Sequence, residues 1–235
     1  MASKHPTTEQ TQATLQALQQ ALRAVADPAE AVPMRAYMLD QFAFFGIRAP
    51  ARREAVKHLL RGNFTEADVL DLAEALWVCP EREFRYTAVD LLAKHHKRLS
   101  PSALPRLLQL VQQDAWWDTV DGLAGVVGDI LRAARSTQAD IQTLADGWLQ
   151  HDNLWVRRVA MLHQLGWREA TDAQRLMRYA LTLAHEKDFF IRKAIGWALR
   201  DYARTAPEAV RAFLQTHAKV LSPLTVREAG KHLQS

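Results

Sequence analysis

The segment from Asp114 to Asp121, with the sequence DAWWDTVD, sets two adjacent tryptophans among carboxylates. If Asp114 is the N-cap of a helix, Trp117 and Asp121 lie four residues apart on one helix face. A ring face attracts cations, and a carboxylate beside it stabilises positive charge or accepts a proton. The pattern predicts a site for a planar, cationic group. A buried tryptophan next to a solvated aspartate is the alternative.

Helices are expected to position this segment. Apolar residues recur at intervals of three and four, for example between Leu15 and Val25, and no stretch alternates apolar and polar residues as a half-buried strand does. Helix-start signals include Thr65 with Asp68 three residues later, and Pro33. We predict an all-α protein with about eleven to thirteen helices of roughly 10–18 residues.

Four amphipathic segments share an aromatic start. They begin at Phe84, Trp116, Trp155 and Phe190, at intervals of 32, 39 and 35 residues. Such intervals are typical of paired-helix repeats of the HEAT type. The predicted fold is therefore a HEAT-like helical-repeat solenoid with a concave face.

Aligning the four segments singles out a few positions. Asp121 stands in a register that the other three repeats fill with Val, Ala or Ile, and a carboxylate there needs partners or a function. Arg158 and Lys193 fall in a polar register, which predicts that they face the concave surface. Trp197 falls in a register otherwise filled by Leu, so a core role is the alternative for it.

Composition limits the class of protein. No apolar run is long enough to cross a bilayer, and the first residues lack the apolar core of a signal peptide. The single cysteine, Cys79, excludes an intramolecular disulfide. We expect a cytoplasmic, monomeric protein with a polar, disordered tail over residues 1–8 and one domain over residues 9–235.

Basic residues are concentrated in the last third of the chain. Residues 151–235 contain fourteen Lys and Arg against eight Asp and Glu, and Arg supplies 22 of the 30 basic residues overall. Because the planar guanidinium suits phosphate oxygens, this distribution favours a polyanionic partner. A solvated helix face is the alternative.

The sequence resembles the AlkD family of DNA alkylation-repair glycosylases over almost its whole length. The likeness rests on six ordered motifs. They are Tyr37-Met38 with Phe44-Phe45-Gly46-Ile47, Pro80-Glu81-Arg82-Glu83-Phe84, Trp116-Trp117-Asp118-Thr119-Val120-Asp121, Asp152-Asn153-Leu154-Trp155 with Arg158, the run from Phe189 to Trp197, and Arg227-Glu228-Ala229 with Lys231-His232.

The resemblance implies roles for individual residues. It implies catalytic roles for Asp121, Trp117 and Trp197, and a role for Arg158 in holding a flanking phosphate or the water network. Tyr37 aligns with a tyrosine that lines the family's cleft. Further DNA-binding positions implied or suggested by basic character are Arg157, Lys193, Arg227 and Lys231. Whether Arg157 or Arg158 makes the active-site contact is left open.

The resemblance also implies an activity. It is hydrolysis of the N-glycosidic bond of cationic purines, chiefly N3-methyladenine and N7-methylguanine, in duplex DNA for base excision repair. The implied enzyme is monofunctional, needs no cofactor, and approaches the lesion from the backbone without base flipping. Duplex DNA containing alkylated purines is the implied partner.

Other classes of function fit the sequence less well. A catalytically silent HEAT-repeat module that binds DNA or protein shares the predicted fold. In such a module a carboxylate such as Asp121, facing bound phosphate, would only repel it. No metal site is expected, because His95 and His96 point to different faces of a helix. Cys79 has no nearby histidine to activate it as a nucleophile.

Overall fold

The computed structural model describes residues 9–233. Over that range it contains thirteen α-helices and five short 3-10 segments, with one isolated bridge between Ala43 and Glu81 in place of any strand. The all-α prediction is therefore confirmed. Helix lengths run from 6 to 18 residues, so the expected lower limit was too high. The tail predicted at residues 1–8 lies outside the described residues.

The chain divides into two compact units, residues 1–106 and 107–235. The prediction of one domain over residues 9–235 stays a prediction. Helices of the first unit are α1 (Glu9–Ala24), α2 (Pro28–Tyr37), α3 (Ala49–Val56), α4 (Glu66–Trp77) and α5 (Arg82–Lys94). Helix α6 (Leu104–Gln112) spans the division, and the second unit contains α7 (Trp117–Ala134), α8 (Thr143–Trp148), α9 (Leu154–Leu162), α10 (Ala173–Thr182), α11 (Phe189–Ala203), α12 (Pro207–Thr216) and α13 (Pro223–Ala229).

In the first unit, Glu83 of α5 organises the segment that follows α2. Its side chain is fully buried, and its carboxylate accepts the backbone N–H groups of residues 45–47 at 2.9–3.1 Å. A buried carboxylate requires such donors, since it has given up its hydration. Two of the six sequence motifs, the one with Phe44-Phe45-Gly46-Ile47 and the one with Glu83, thus form one contact.

In the second unit, α9 packs against both α7 and α11, and α11 also packs against α13. Trp116, Trp155 and Phe190 form one aromatic cluster, with ring centroids 5.0–5.8 Å apart. These are three of the four aromatics that the sequence alignment placed in one register. Equivalent positions of successive segments therefore lie side by side.

Local helix-start predictions had mixed outcomes. The Thr65–Asp68 capping box is present and starts α4. Pro33 lies inside α2 and does not start a helix. Asp114 is not an N-cap, because Trp116 occupies that position of α7 and Asp114 has a φ of 45°. The predicted face survives this correction, since Trp117 and Asp121 both belong to α7 and remain one turn apart.

Candidate active site

Asp121 and Arg158 form a bidentate pair at the contact between α7 and α9. The Arg158 Nε donates to Asp121 Oδ1 at 2.7 Å, and its Nη2 donates to Oδ2 at 2.8 Å. The third nitrogen, Nη1, donates to the backbone carbonyl of Phe190 at the start of α11. A planar guanidinium held by a carboxylate and a carbonyl has little freedom to turn. The pair therefore fixes both carboxylate oxygens of Asp121.

The two members of this pair differ in exposure. The side chain of Arg158 is 1% exposed, and that of Asp121 is 23% exposed. The prediction that Arg158 faces the concave surface does not hold for its guanidinium, which is buried and meets Asp121 and the backbone of Phe190. Asp121 is thus the more accessible member of the pair, and Arg158 is buried.

Burial changes the proton affinity of Asp121. Loss of hydration raises the pKa of its carboxyl above the ordinary value, and the hydrogen bonds and positive charge of Arg158 oppose that rise. Nearby Asp118 adds to the rise through like-charge repulsion. The carboxylate is thus less strongly hydrated than a surface aspartate and interacts more strongly with an incoming cation.

Two tryptophans accompany the pair. Trp197 of α11 is partly exposed, and the guanidinium carbon of Arg158 lies 5.3 Å from the centre of its ring. Partial exposure argues against the core role that its register had left open. Trp117 is the first residue of α7, also partly exposed, and precedes Asp121 by one helical turn. The second unit thus assembles Asp121, Arg158 and Trp197 from three successive segments.

Arg157 points elsewhere. Its Nη1 donates to the backbone carbonyls of His151 and Asp152 at 2.6 and 2.8 Å, and its Nε lies 2.7 Å from Glu186 Oε1. These contacts fasten the loop before α9 to the segment before α11. Of the two adjacent arginines, Arg158 is the one that contacts Asp121.

The remaining basic positions behave differently from one another. Lys193 and Lys231 both form salt bridges with Glu228 at 2.9 Å, whereas Arg227 is exposed. Tyr37 lies in the first unit and is 70% exposed. Glu228 belongs to the last of the six sequence motifs, but neither the resemblance nor its residue type predicts a role for it. Its spacing of three from Lys231 was the one available signal that it lies in an ionic cluster.

The described residues contain no group of three or more His, Cys, Asp or Glu side chains that could hold a metal ion. The same residues include no helix long and apolar enough to cross a membrane. What the site offers chemically is a fixed, poorly hydrated carboxylate beside aromatic rings. Such an arrangement stabilises a cation and can orient a water molecule.

The fold and the site define an all-α protein with a fixed carboxylate near tryptophan side chains. Comparison with known proteins identifies its family. The model of the family described as DNA alkylation repair enzyme matches residues 18–233. The chain belongs to the DNA alkylation repair enzyme family.

One solved structure agrees with this assignment, and two others share the fold. A predicted DNA alkylation repair enzyme from Enterococcus faecalis is 34% identical, with a TM-score of 0.82 over 89% of this chain and 97% of that one. AlkD2 from Streptococcus mutans is 22% identical, with a TM-score of 0.58 over 74% and 84% of the two chains. The protein smu.31 from Streptococcus mutans UA159 shares the fold at 18% identity, with a TM-score of 0.62 over 96% and 100%. No curated protein matches the chain significantly.

Proposed function

We propose that this repair enzyme is a monofunctional DNA glycosylase that hydrolyses the N-glycosidic bond of cationic alkylated purines in duplex DNA, for base excision repair. N3-methyladenine and N7-methylguanine are the proposed substrates. The proposal combines the family membership with the chemistry of the site. One observation carries it: Arg158, itself buried, holds both carboxylate oxygens of Asp121, whose side chain keeps 23% of its surface exposed.

The proposed reaction needs little acid catalysis. A purine alkylated at a ring nitrogen already carries a positive charge, so the C1′–N bond can break with its electron pair passing to the base, which leaves neutral. The positive charge then develops on the deoxyribose as an oxocarbenium ion. A water molecule adds to C1′ and loses one proton, which gives an abasic site.

Asp121 acts on the charge that develops at the sugar. Its fixed carboxylate stabilises the oxocarbenium ion and orients the attacking water, from which it can accept the proton. Arg158 keeps the two oxygens in place, since both are hydrogen-bonded to one rigid guanidinium. Because the arginine is buried, its charge acts on the substrate less directly than that of the carboxylate.

Trp117 and Trp197 supply ring faces for the deoxyribose and for the cationic base. This mode of binding approaches the lesion from the backbone and does not require the base to enter a closed pocket, as it does in enzymes that flip bases. Lys193, next to Trp197, forms a salt bridge with Glu228 at 2.9 Å, which supports a reaction without a lysine nucleophile. A Schiff-base adduct trapped with borohydride would contradict the monofunctional assignment.

The deciding measurement is single-turnover release of N7-methylguanine from a methylated duplex at low salt. The native chain is expected to release the base. Asp121→Asn is expected to bind the duplex with similar affinity and to release the base at least about 100-fold more slowly. Asp129→Asn is the matched control, because it removes another partly exposed carboxylate from α7 two turns further on.

The outcomes separate two functions. Slow release that is confined to Asp121→Asn supports the glycosylase. A native chain that binds the duplex and releases no base would instead support a catalytically silent DNA-binding module. Measuring the size of the protein–DNA complex gives the oligomeric state, and we expect a monomer on DNA.

A further inference from the structure

Glu228 of α13 lies at the centre of an ionic cluster that the proposed reaction does not use. Its side chain is 4% exposed and accepts four donors. Trp197 Nε1 and Arg200 Nη1 bind Oε2 at 3.2 and 3.1 Å, Lys193 Nζ binds Oε1 at 2.9 Å, and Lys231 Nζ lies 2.9 Å from both oxygens. A carboxylate with this many charged donors is firmly oriented.

The contact between α11 and α13 brings Glu228 to Trp197. A Cβ atom added to Gly196 would lie 2.5 Å from the Cβ of Glu228 and 3.0 Å from the carbonyl oxygen of Thr225. The two helices can approach this closely only because residue 196 has no side chain. The hydroxyl of Thr225 also donates to the carbonyl of Arg192 at 3.1 Å, which fixes the same contact from one turn earlier.

Trp197 is the residue through which this cluster reaches the candidate active site. Its indole N–H is bound to Glu228, and three cations surround its ring, with Lys193 Nζ 5.2 Å, Arg158 Cζ 5.3 Å and Arg200 Cζ 6.0 Å from the centroid. These cations compete with a cationic base for the ring and repel it. The charge of Glu228 offsets part of that repulsion, and donors on both its oxygens keep it ionised, with a pKa lowered to about 2 despite burial.

We infer that Glu228 is a positioning residue of the glycosylase reaction, which orients the Trp197 ring toward a cationic purine. The inference rests on the function proposed above. Glu228 does not touch substrate in this scheme, so its effect passes through Trp197. That dependence can be measured with a double-mutant cycle.

The cycle compares the native chain, Glu228→Gln, Trp197→Phe and the double variant. The readout is single-turnover release of N7-methylguanine from saturated duplex. Glu228→Gln is expected to slow release about 10- to 100-fold, as misplacing a reacting group does. Phenylalanine has no N–H to donate, so adding Glu228→Gln to Trp197→Phe is expected to cost little more.

Duplex affinity separates a positioning role from loss of structure, because the two predict opposite changes in affinity. Glu228→Gln removes a negative charge from the basic cluster, so affinity at low salt is expected to be unchanged or higher. A variant that was merely unstable would bind less. Thus slower release together with undiminished binding supports a positioning role.

Two further variants keep the inference falsifiable. Gly196→Ala leaves the charge of Glu228 in place and displaces it from Trp197, so it is expected to slow release and also to be non-additive with Trp197→Phe. Asp146→Asn is the matched control, because Asp146 likewise binds several partners, Arg175, Arg178 and Tyr179, outside this cluster. It is expected to release base at the native rate when saturated with duplex.

Additive effects of Glu228→Gln and Trp197→Phe would overturn the inference, as would a native rate in Glu228→Gln or an equal slowing in Asp146→Asn. In each of these cases the native chain still releases base, and the proposed function stands. A native chain without activity would overturn the proposed function, and the positioning role would fail with it.

Discussion

Asp121 combines two opposing influences within a single side chain. Burial and its neighbour Asp118 raise the pKa of the carboxyl, and the hydrogen bonds of Arg158 lower it. The proposed chemistry requires the ionised form, because only a carboxylate stabilises the sugar cation. The proton affinity of Asp121, and with it the pH range of activity, should therefore depend on Arg158.

Replacing Arg158 tests this dependence. In Arg158→Gln the pKa of Asp121 loses the influence that lowers it, so it rises further and the carboxylate is protonated at a higher pH. The acid limb of the single-turnover rate against pH is expected to move to higher pH. The rate at neutral pH is expected to fall as well, because the carboxylate is no longer fixed.

Arg157→Gln is the control for this pH profile. The two arginines are adjacent, but Arg157 binds Glu186 and the backbone before α9 and does not contact Asp121. Its replacement is expected to leave the acid limb in place. If the two variants shifted the limb equally, the dependence of Asp121 on Arg158 would be disproved.

At the scale of helices, the site depends on how closely α7 and α9 approach. A Cβ atom added to Gly128 of α7 would overlap the backbone carbonyl oxygen of His163, just beyond the end of α9. Backbone atoms cannot move aside as the end of a flexible side chain can. The glycine therefore sets the distance between the helix that carries Asp121 and the helix that carries Arg158.

Gly128→Ala is expected to force α7 and α9 apart. The predicted result is a free energy of unfolding lower by about 1–3 kcal/mol, as for other overpacked sites, together with slower base release. Chemical denaturation measures the first and the single-turnover assay the second.

Gly125→Ala is the matched control in the same helix. Nothing lies within 4 Å of a Cβ atom added there. The alanine is expected to stabilise the protein by about 0.5–1 kcal/mol through helix propensity. Destabilisation by both substitutions would show that close approach at Gly128 is not the cause.

At the scale of the whole molecule, the family match covers residues 18–233 and so includes parts of both units. The formal net charge is +4, with the basic excess in residues 151–235. Several of those cations are already paired, including Lys193 and Lys231 with Glu228. The number of cations left to contact phosphate is therefore smaller than the number of basic residues in this part of the sequence.

Salt dependence measures how many cations contact phosphate. Duplex affinity is expected to fall with rising salt, with a slope of log K against log salt of about −0.9 for each phosphate contact, and to vary little with base sequence. Arg227→Ala, which removes an exposed arginine, is expected to make the slope shallower by about 0.9. An affinity independent of salt would contradict phosphate-directed binding.

The stability of the molecule is expected to depend on pH through His163. This side chain is buried, and loss of hydration lowers its pKa to about 4. The unfolded chain, with an ordinary histidine, binds more protons between about pH 4 and 6.5, so the free energy of unfolding decreases as pH falls through that window. The contribution lost by pH 5 is about 2 kcal/mol.

Thermal or chemical unfolding between pH 7 and 5 checks this contribution. His163→Gln is expected to lower stability at pH 7 and to flatten its change with pH. Asp146 and Glu228, with pKa values lowered to about 2, keep their charge over this range and lose their contribution only at lower pH. An unchanged slope in His163→Gln would exclude His163 as the cause.

Much of this protein could be predicted from its sequence by periodicity and position alone. Helical spacing of apolar residues indicated the all-α fold, because side chains three and four residues apart share a face. The same local rule placed Trp117 and Asp121 on one face of α7, even though Asp114 does not cap it. The shared register of the aromatic residues predicted that Trp116, Trp155 and Phe190 occupy equivalent positions in successive segments.

Contacts between segments distant along the chain were decided only by the tertiary structure. The sequence could not choose between Arg157 and Arg158, since adjacent residues on a helix point in different directions and the packing of α7 against α9 selects one of them. Nor could it reveal that Glu228 binds Lys193, Arg200, Lys231 and the indole N–H of Trp197. That cluster exists because Gly196 lets α13 lie against α11, and such a close approach depends on how helices pack rather than on any local pattern.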